Sequence, residues 1–228
     1  MGFYMVRYFT FLLLGVTSAC CMAKTSVVMN NTLKAQEIKS AKIVYIGEVN
    51  GNKVAELMAG IDDINASYPA VKEISLYINS YGGDMEAGYM GGQAVRGSRI
   101  PIKTINAAMT GSAATLIYCS GVQRATLPSA TFLIHPAASQ NIHNNYLKKN
   151  EVILLSRDID NASKIFKDTY ASCFKNDGKE IDKALFSEDN RIYLRFPESV
   201  EQGIAQKRVE GIPPADVAYY IVTSEASS

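Results

Sequence analysis

The chain has 228 residues, of which 47% are hydrophobic and 20% are charged. This is an ordinary globular composition, long enough for one sizeable core, and nothing in it indicates a second domain. The formal net charge is +1. Because the charges form no basic run, electrostatic capture of nucleic acid is not expected.

The N-terminus has the layout of a secretory signal. A single basic residue, Arg7, precedes an apolar run over residues 8–16, and small residues follow. The run is shorter than the roughly 20 residues that span a bilayer. We therefore predict a signal peptide over residues 1–23, cleaved after Ala23 or Ala19, and a periplasmic or secreted protein. The alternative is an uncleaved anchor, in which case the protein would contact a membrane through this segment only.

Four cysteines bear on the compartment. Cys20 and Cys21 lie in the predicted signal, where the stretch ending at Cys20 has some likeness to a lipoprotein acylation box. Cys119 and Cys173 remain for the mature protein and could form a disulfide in an oxidising compartment, although the sequence alone does not establish the pair. There is no CxxC motif and no His/Cys cluster, so we expect neither a structural zinc nor another cofactor.

Strand and helix patterns alternate along most of the chain. The apolar periodicities and the Gly and Pro positions predict strands over 41–49, 72–80 and 100–108 and two more within 123–136. Between them, they predict helices over 53–68, 83–98 and 111–121. The rest of the chain is predicted to form a long amphipathic helix over about 144–174, a short helix over 179–186, a strand over 190–196 and a helix over 197–203. This alternation predicts an α/β fold with a largely parallel, buried sheet.

We divide the chain into four segments on this basis. The signal peptide over 1–23 is followed by a polar N-terminal segment over 24–40, a single domain over 41–212, and a C-terminal tail over 213–228 that begins at a proline turn and is mostly exposed. The long helix over about 144–174 is either packed on the core or an arm that projects and contacts a sister subunit.

Ser112 is the first candidate for chemistry. It follows Gly111 at a predicted strand-to-helix junction, among residues too small to shield it. A nucleophile suits this position because the amides that begin the helix point towards the reacting carbonyl. A plain helix-capping serine would fit the same pattern, and the spacing does not match a G-x-S-x-G nucleophile elbow.

His135 is the second candidate. The chain has only two histidines. His135 ends an apolar strand directly before Pro136, at the kind of strand end where ligand sites of α/β sheets gather. His143 lies in polar surroundings and is expected to be solvated.

Five stretches, taken together, resemble the proteolytic subunits of the Clp protease (ClpP) family. The members of this family are serine peptidases. They occur in family order between about Lys42 and Ala205 and read KIVYIGEV, LYINSYGGDMEAG, MTGSAATLIYCSG, ATLPSATFLIHPA and RFPESVEQGIA. The third is most similar to phage prohead-type relatives, and Tyr81 stands where the family usually has proline. The resemblance implies a crotonase-like α/β fold of repeated β-β-α units with a projecting helical handle.

The resemblance also implies a Ser-His-Asp mechanism. Ser112 would be the nucleophile and His135 the general base, with a third group holding the other ring nitrogen. The spacing to the closing segment puts Arg191 in the acid position, and a shift of one residue puts Asn190 there. We predict Asp189 as the acid because a carboxylate can stabilise the imidazolium by charge, with Asn190 as the alternative.

The resemblance assigns the oxyanion hole to two backbone N–H groups, those of Gly83 and Ala113. Gly83 is the second glycine of a pair that ends an apolar strand abruptly. The pair, Gly82 and Gly83, could mark no more than a tight turn. Beside a nucleophile, it would also leave a strand edge open on which an extended peptide can lie.

The function implied is that of a serine endopeptidase that cleaves peptides or unfolded proteins as a ring-shaped homo-oligomer. Members of the family usually work with a cytosolic ATPase. We predict ATP independence, because this chain has an export signal and no G-x-x-x-x-G-K-[ST] motif.

Two alternative functions remain. One is a catalytically impaired, oligomeric interaction protein, suggested by Arg191. The other is a crotonase-type acyl-thioester enzyme, which Ser112 and His135 together argue against.

Overall fold

The structure is a computed structural model that describes residues 23–139, 146–175 and 178–223. Its strands are β1 (Ala23–Met29), β2 (Ala41–Ile46), β3 (Ile74–Ser80), β4 (Ile102–Gly111), β5 (Gln123–Thr126), β6 (Thr131–Ile134), β7 (Ile192–Leu194), β8 (Lys207–Arg208) and β9 (Val217–Thr223). Its helices are α1 (Gly51–Ser67), α2 (Met85–Gly97), α3 (Ala113–Tyr118), α4 (Lys149–Cys173), α5 (Lys179–Phe186) and α6 (Glu198–Glu201). No helix in these ranges is long and apolar enough to cross a membrane.

The nine strands of the described ranges form one sheet in the order β1-β9-β2-β3-β4-β5-β8, and β6 and β7 continue from β4. The pairs β2–β3, β3–β4, β4–β5 and β4–β6 are all parallel. Helices α1, α2 and α3 make the connections, and the apolar residues of the strands are buried beneath them. The predicted α/β fold with a largely parallel sheet is therefore confirmed.

Small residues on α2 allow it to lie directly on α3. A Cβ added to Gly88 would come within 2.7 Å of the carbonyl oxygen of Ala113, a distance that real side chains do not adopt. The helix therefore approaches the first residue of α3 closely enough to set its position. This contact explains the small-residue face that the sequence shows over 83–98.

Both ends of the described chain differ from the prediction. Strand β9 lies inside the sheet, parallel to β2 and antiparallel to β1. Val217, Tyr219 and Ile221 are at most 3% exposed, so the prediction of an exposed tail over 213–228 is wrong for this strand. The predicted polar segment 24–40 likewise contributes β1. The predicted signal peptide lies outside the described residues except for Ala23.

Helix α4 combines the two interpretations left open for it. Its C-terminal half is packed on the core, with Phe166 and Tyr170 buried. In its N-terminal half, Val152, Ile153 and Leu154 are each at least 50% exposed. The helix is thus core-packed at one end and projects at the other, and its contact with a sister subunit remains a prediction.

A disulfide between Cys119 and Cys173 joins the end of α3 to the end of α4. Both cysteines are buried. Nearby, the hydroxyl groups of Thr115 and Tyr170 are 2.7 Å apart and share a hydrogen bond. The short helix that follows Ser112 is therefore tied to α4 by a covalent bond and a polar contact.

Replacing both cysteines, Cys119→Ala with Cys173→Ala, is expected to lower the free energy of unfolding by about 4 kcal/mol. The bridge closes a loop with a sequence separation of 54, and the entropy removed from an unfolded chain with a loop of this length corresponds to about that value. Urea unfolding measures the difference. Reductant should shift the wild-type curve equally and leave the double variant unchanged. A loss below about 1 kcal/mol would contradict a stabilising role.

Candidate active site

Ser112 sits in a strained turn between β4 and α3. Its φ is 49° and its ψ is −129°, and it is the one non-glycine residue with positive φ in the three described ranges. Such a conformation costs on the order of 1–3 kcal/mol and persists only where the surroundings impose it. Here the Ser112 amide donates to Leu133 O at 3.0 Å, and its carbonyl accepts from the amide and the hydroxyl of Thr115.

The side chain of Ser112 does not cap α3, although the residue holds the N-cap position. Capping was the ordinary alternative for a serine at this junction. The strained backbone is therefore not explained by a local hydrogen bond of the hydroxyl. The turn places a half-buried serine directly after the carboxyl end of β4, a position that suits a nucleophile.

His135 lies at the same edge of the sheet. Strand β6 is parallel to β4 with Gly111 opposite Leu133, so Ser112 and His135 follow the carboxyl ends of two neighbouring strands. The structure shows no hydrogen bond between the Ser112 hydroxyl and the His135 ring among its described contacts. Catalytic hydrogen bonds are often long before substrate binds, so this geometry does not remove either residue as a candidate.

The carboxylate beside His135 is that of Glu188. Its Oε1 is 3.1 Å from the Nδ1 of His135. Strand β7 is antiparallel to β6, with Ile134 opposite Ile192, and this pairing brings the turn before β7 alongside the histidine. With the proton on Nδ1, the ring donates to the carboxylate and keeps Nε2 as a hydrogen-bond acceptor, the form that a general base needs.

This contact differs from the predicted acid. Asp189 lies one residue further on, in a short 3-10 turn (Glu188–Asn190), and its amide donates to Ser187 Oγ at 3.3 Å. Arg191, the residue in the expected acid position, bonds to Glu188 instead, with its Nε 3.4 Å from Oε2. The Glu188 carboxylate thus has one oxygen at His135 and the other at Arg191. The longer side chain of glutamate reaches the ring from one position earlier.

The sequence offered a signal that could have identified Glu188. The stretch before β7 contains two adjacent carboxylates, Glu188 and Asp189, and either of them could stabilise an imidazolium by charge. Spacing alone does not tell which of two neighbours in a 3-10 turn points at the histidine.

Gly82 and Gly83 pack against the turn at Ser112 and against Val49. Gly82 has φ 107°, and a Cβ there would lie 2.6 Å from the Cβ of Ser112. Gly83 has φ 146°, and a Cβ there would lie 2.3 Å from Val49 O. Any side chain at either position would therefore displace neighbouring backbone or the nucleophile, which is a stronger requirement than a tight turn.

The two amides predicted for the oxyanion hole are those of Gly83 and Ala113, which follow Gly82 and Ser112. The Gly82 N–H donates to Ser80 Oγ at 3.1 Å. Among the hydrogen bonds of the described residues, none is made by the N–H of Gly83 or of Ala113. An oxyanion hole requires donors that are not already engaged in this way. Their assignment stays a prediction.

Two grooves flank Gly83. One, of about 690 Å³, extends from Gly83 past the segment that follows His135 to the side of α4; the charged residues that line it are acidic, namely Glu48, Asp84, Glu86 and Asp158. The other, of about 590 Å³, is bordered by Ile46 and by the 72% exposed side chain of Tyr81. Tyr81 thus forms an aromatic wall beside the glycine pair.

Within the described ranges, no group of His, Cys, Asp or Glu is arranged to hold a metal ion.

A serine on a strained turn, a histidine at the neighbouring strand end and a carboxylate beside the histidine are the three types of group that a serine peptidase uses. Comparison with known proteins agrees with this class. A family model described as Clp protease matches residues 26–210, and the chain belongs to that family. The predicted enzyme class, a serine-type peptidase of the Clp proteolytic subunit type, is confirmed.

Curated relatives match most of the chain at modest identity. The ATP-dependent Clp protease proteolytic subunit 2 of Treponema denticola is 27% identical over 183 residues, which cover 74% of this chain and 91% of the relative. The ATP-dependent Clp protease proteolytic subunit of Dehalococcoides mccartyi is 27% identical over 166 residues, which cover 72% and 79%.

Among solved structures, a ClpP1 mutant from Listeria monocytogenes has a TM-score of 0.60 at 18% sequence identity and covers 75% of this chain and 91% of its own. At this identity, the likeness supports the fold alone. The predicted crotonase-like fold of the Clp proteolytic subunits is confirmed by it.

Proposed function

We propose that this protein is a serine endopeptidase that cleaves peptides or unfolded proteins without ATP, with Ser112 as nucleophile and His135 as general base. Glu188 holds the histidine ring, in place of the predicted Asp189. The observation that carries the proposal is the strained turn at Ser112, whose side chain caps no helix and which ends the strand next to that of His135.

In the proposed mechanism, Nε2 of His135 takes the proton of the Ser112 hydroxyl while Oγ attacks the substrate carbonyl. The N–H groups of Gly83 and Ala113 donate to the oxyanion that forms. The imidazolium then gives its proton to the leaving amine, and the same ring activates the water that hydrolyses the acyl-enzyme. Glu188 stabilises the imidazolium by charge and keeps Nδ1 protonated. Substrate binding must bring the ring and the hydroxyl into contact.

The alternative of a catalytically impaired interaction protein loses its main support in the structure. It rested on Arg191 in the acid position. Arg191 instead forms an ion pair with Glu188, and the carboxylate that it holds is the one beside His135. An arginine at this place therefore does not exclude a working triad.

Export is part of the proposal, and the disulfide supports it. Cys119 and Cys173 form a buried bridge, and such bridges persist in oxidising compartments but are rare in the cytosol. A periplasmic or secreted protein works where ATP-driven unfoldases are not expected, which is the reason for proposing ATP independence. Its assembly as a homo-oligomeric ring is proposed from family membership.

Hydrolysis of a fluorescein-labelled unfolded protein tests this function. Wild-type protein purified with its disulfide intact is expected to release labelled peptides in buffer without nucleotide, and Ser112→Ala is expected to release none. Cleavage that occurs only when a Clp ATPase and ATP are added would contradict the ATP independence. Absence of cleavage under both conditions, in a folded protein, would contradict the peptidase function.

A further inference from the structure

The segment from Ile46 to Asn50, which connects β2 to α1, holds the backbone on both sides of Gly83. Val49 forms a parallel bridge with Gly83. Its N–H donates to Gly82 O and its carbonyl accepts from the Asp84 N–H, both at 2.8 Å. Val49 is fully buried. The direction in which the Gly83 amide points is therefore set by the position of Val49.

Lys53 holds the start of this segment. It lies in the first turn of α1, is 1% exposed, and its Nζ donates to Ile46 O at 2.6 Å. Its own amide donates to Asn50 Oδ1 at 3.0 Å, so the same residue contacts both ends of the segment. Tyr45 adds a bond from its hydroxyl to Glu48 O at 3.0 Å.

Burying the Lys53 ammonium costs more free energy of desolvation than a hydrogen bond to one carbonyl returns. Burial lowers the pKa of Lys53, and the nearby Glu48 carboxylate acts in the opposite direction. An apolar residue of similar size would avoid this cost of desolvation. What it would not provide is the donor that fixes Ile46 O and, with it, the segment that carries Val49.

We propose that Lys53 is a positioning residue for catalysis, which sets the orientation of the Gly83 amide through Ile46 and Val49. This inference rests on the proposed function. If the amide binds the oxyanion, its displacement weakens an interaction that is made only in the transition state. Such a change lowers kcat and leaves KM nearly unchanged.

The test compares Lys53→Met with Lys42→Met. Lys42 is a matched control because it lies at the other end of β2, is 7% exposed, and also donates from Nζ to a backbone carbonyl, Pro213 O, at 2.8 Å. Both variants lose a buried ammonium and a hydrogen bond, but only Lys53 contacts the segment beside Gly83.

For Lys53→Met, we expect kcat for a peptide substrate to fall by about 10- to 100-fold, since loss of an entire oxyanion donor costs about 10²–10³, with KM within about 2-fold. A peptide aldehyde, whose adduct with serine carries an oxyanion, should bind more weakly by a similar factor. For Lys42→Met, both quantities should stay within about 2-fold of wild type. A purely structural role would change the unfolding curves of both variants and kcat of neither.

Equal kcat values in the two lysine variants would overturn the inference while the proposed function stands. Wild-type protein without Ser112-dependent hydrolysis would overturn both.

If Lys53→Met does not fold, Tyr45→Phe replaces it, because this variant removes only the hydroxyl that donates to Glu48 O. It should lower kcat and aldehyde affinity together by about 3- to 10-fold, since the loss of one neutral hydrogen bond displaces the segment less. Unchanged values would count against the inference.

Discussion

Replacing Ser112 with alanine is expected to lower kcat for peptide hydrolysis by about 10⁴- to 10⁶-fold. Loss of the nucleophile removes the acyl-enzyme route, and the remaining members of the site then contribute little on their own. Alanine keeps a Cβ at φ 49°, so the strained turn is retained and the loss reports on the hydroxyl. Steady-state hydrolysis of a fluorogenic peptide measures the change.

The control for this variant is its folding. Because the Ser112 hydroxyl makes no capping bond, the urea unfolding curve of Ser112→Ala should lie within about 1 kcal/mol of wild type. Hydrolysis retained within about 10-fold of wild type would contradict the assignment of Ser112 as the nucleophile.

Replacing Glu188 with glutamine is expected to lower kcat by about 10²- to 10³-fold. Loss of the buried aspartate that holds the histidine in a serine protease costs about 10⁴. The effect should be smaller here because the Glu188 side chain is 54% exposed, and water screens part of its interaction with the imidazolium. Steady-state kinetics on the same peptide measures the change.

Asp189→Asn is the matched control for Glu188→Gln. Both variants replace a carboxylate by its amide in the same 3-10 turn, but only Glu188 contacts His135. Asp189→Asn should therefore change kcat by less than about 3-fold. If the larger loss came from Asp189→Asn, the acid predicted from the sequence would be right and the contact seen in the structure would not be the catalytic one.

The parts of the site that follow strands directly could be predicted from the sequence. Ser112 and His135 each come immediately after an apolar strand of a parallel sheet, and the carboxyl ends of neighbouring parallel strands share one edge. Gly82 and Gly83 were recognisable for the same reason. The structure adds the reason why both positions require glycine: a side chain at Gly82 would collide with Ser112, and one at Gly83 would collide with Val49.

The acid could not be predicted to the residue. Glu188 lies in a turn, and the direction of a turn side chain depends on the antiparallel pairing of β6 and β7, which brings together residues 134 and 192. The residues around Glu188 do not determine that register, because it pairs strands that are far apart in the sequence. The spacing of relatives placed the acid near the right position, but neighbouring residues of a 3-10 turn point in different directions.

Strand β9 was missed for a different reason. Its sequence, VAYYIVT, is rich in β-branched and aromatic residues, which favour a strand. The two prolines that precede it, near the end of the chain, instead favour a turn followed by an exposed tail. Its burial depends on a place between β1 and β2, and the N-terminal strand that completes this place was itself not predicted.

The most direct test of the account is the position of a fluorophosphonate adduct. Such a probe reacts with an activated serine, and after reduction of the disulfide, trypsin should release Ser112 in a peptide of residues 104–124. Mass spectrometry is expected to find one adduct per chain on Ser112 in the wild type and none in Ser112→Ala. An adduct on another serine, or none in a folded wild-type protein, would contradict the account.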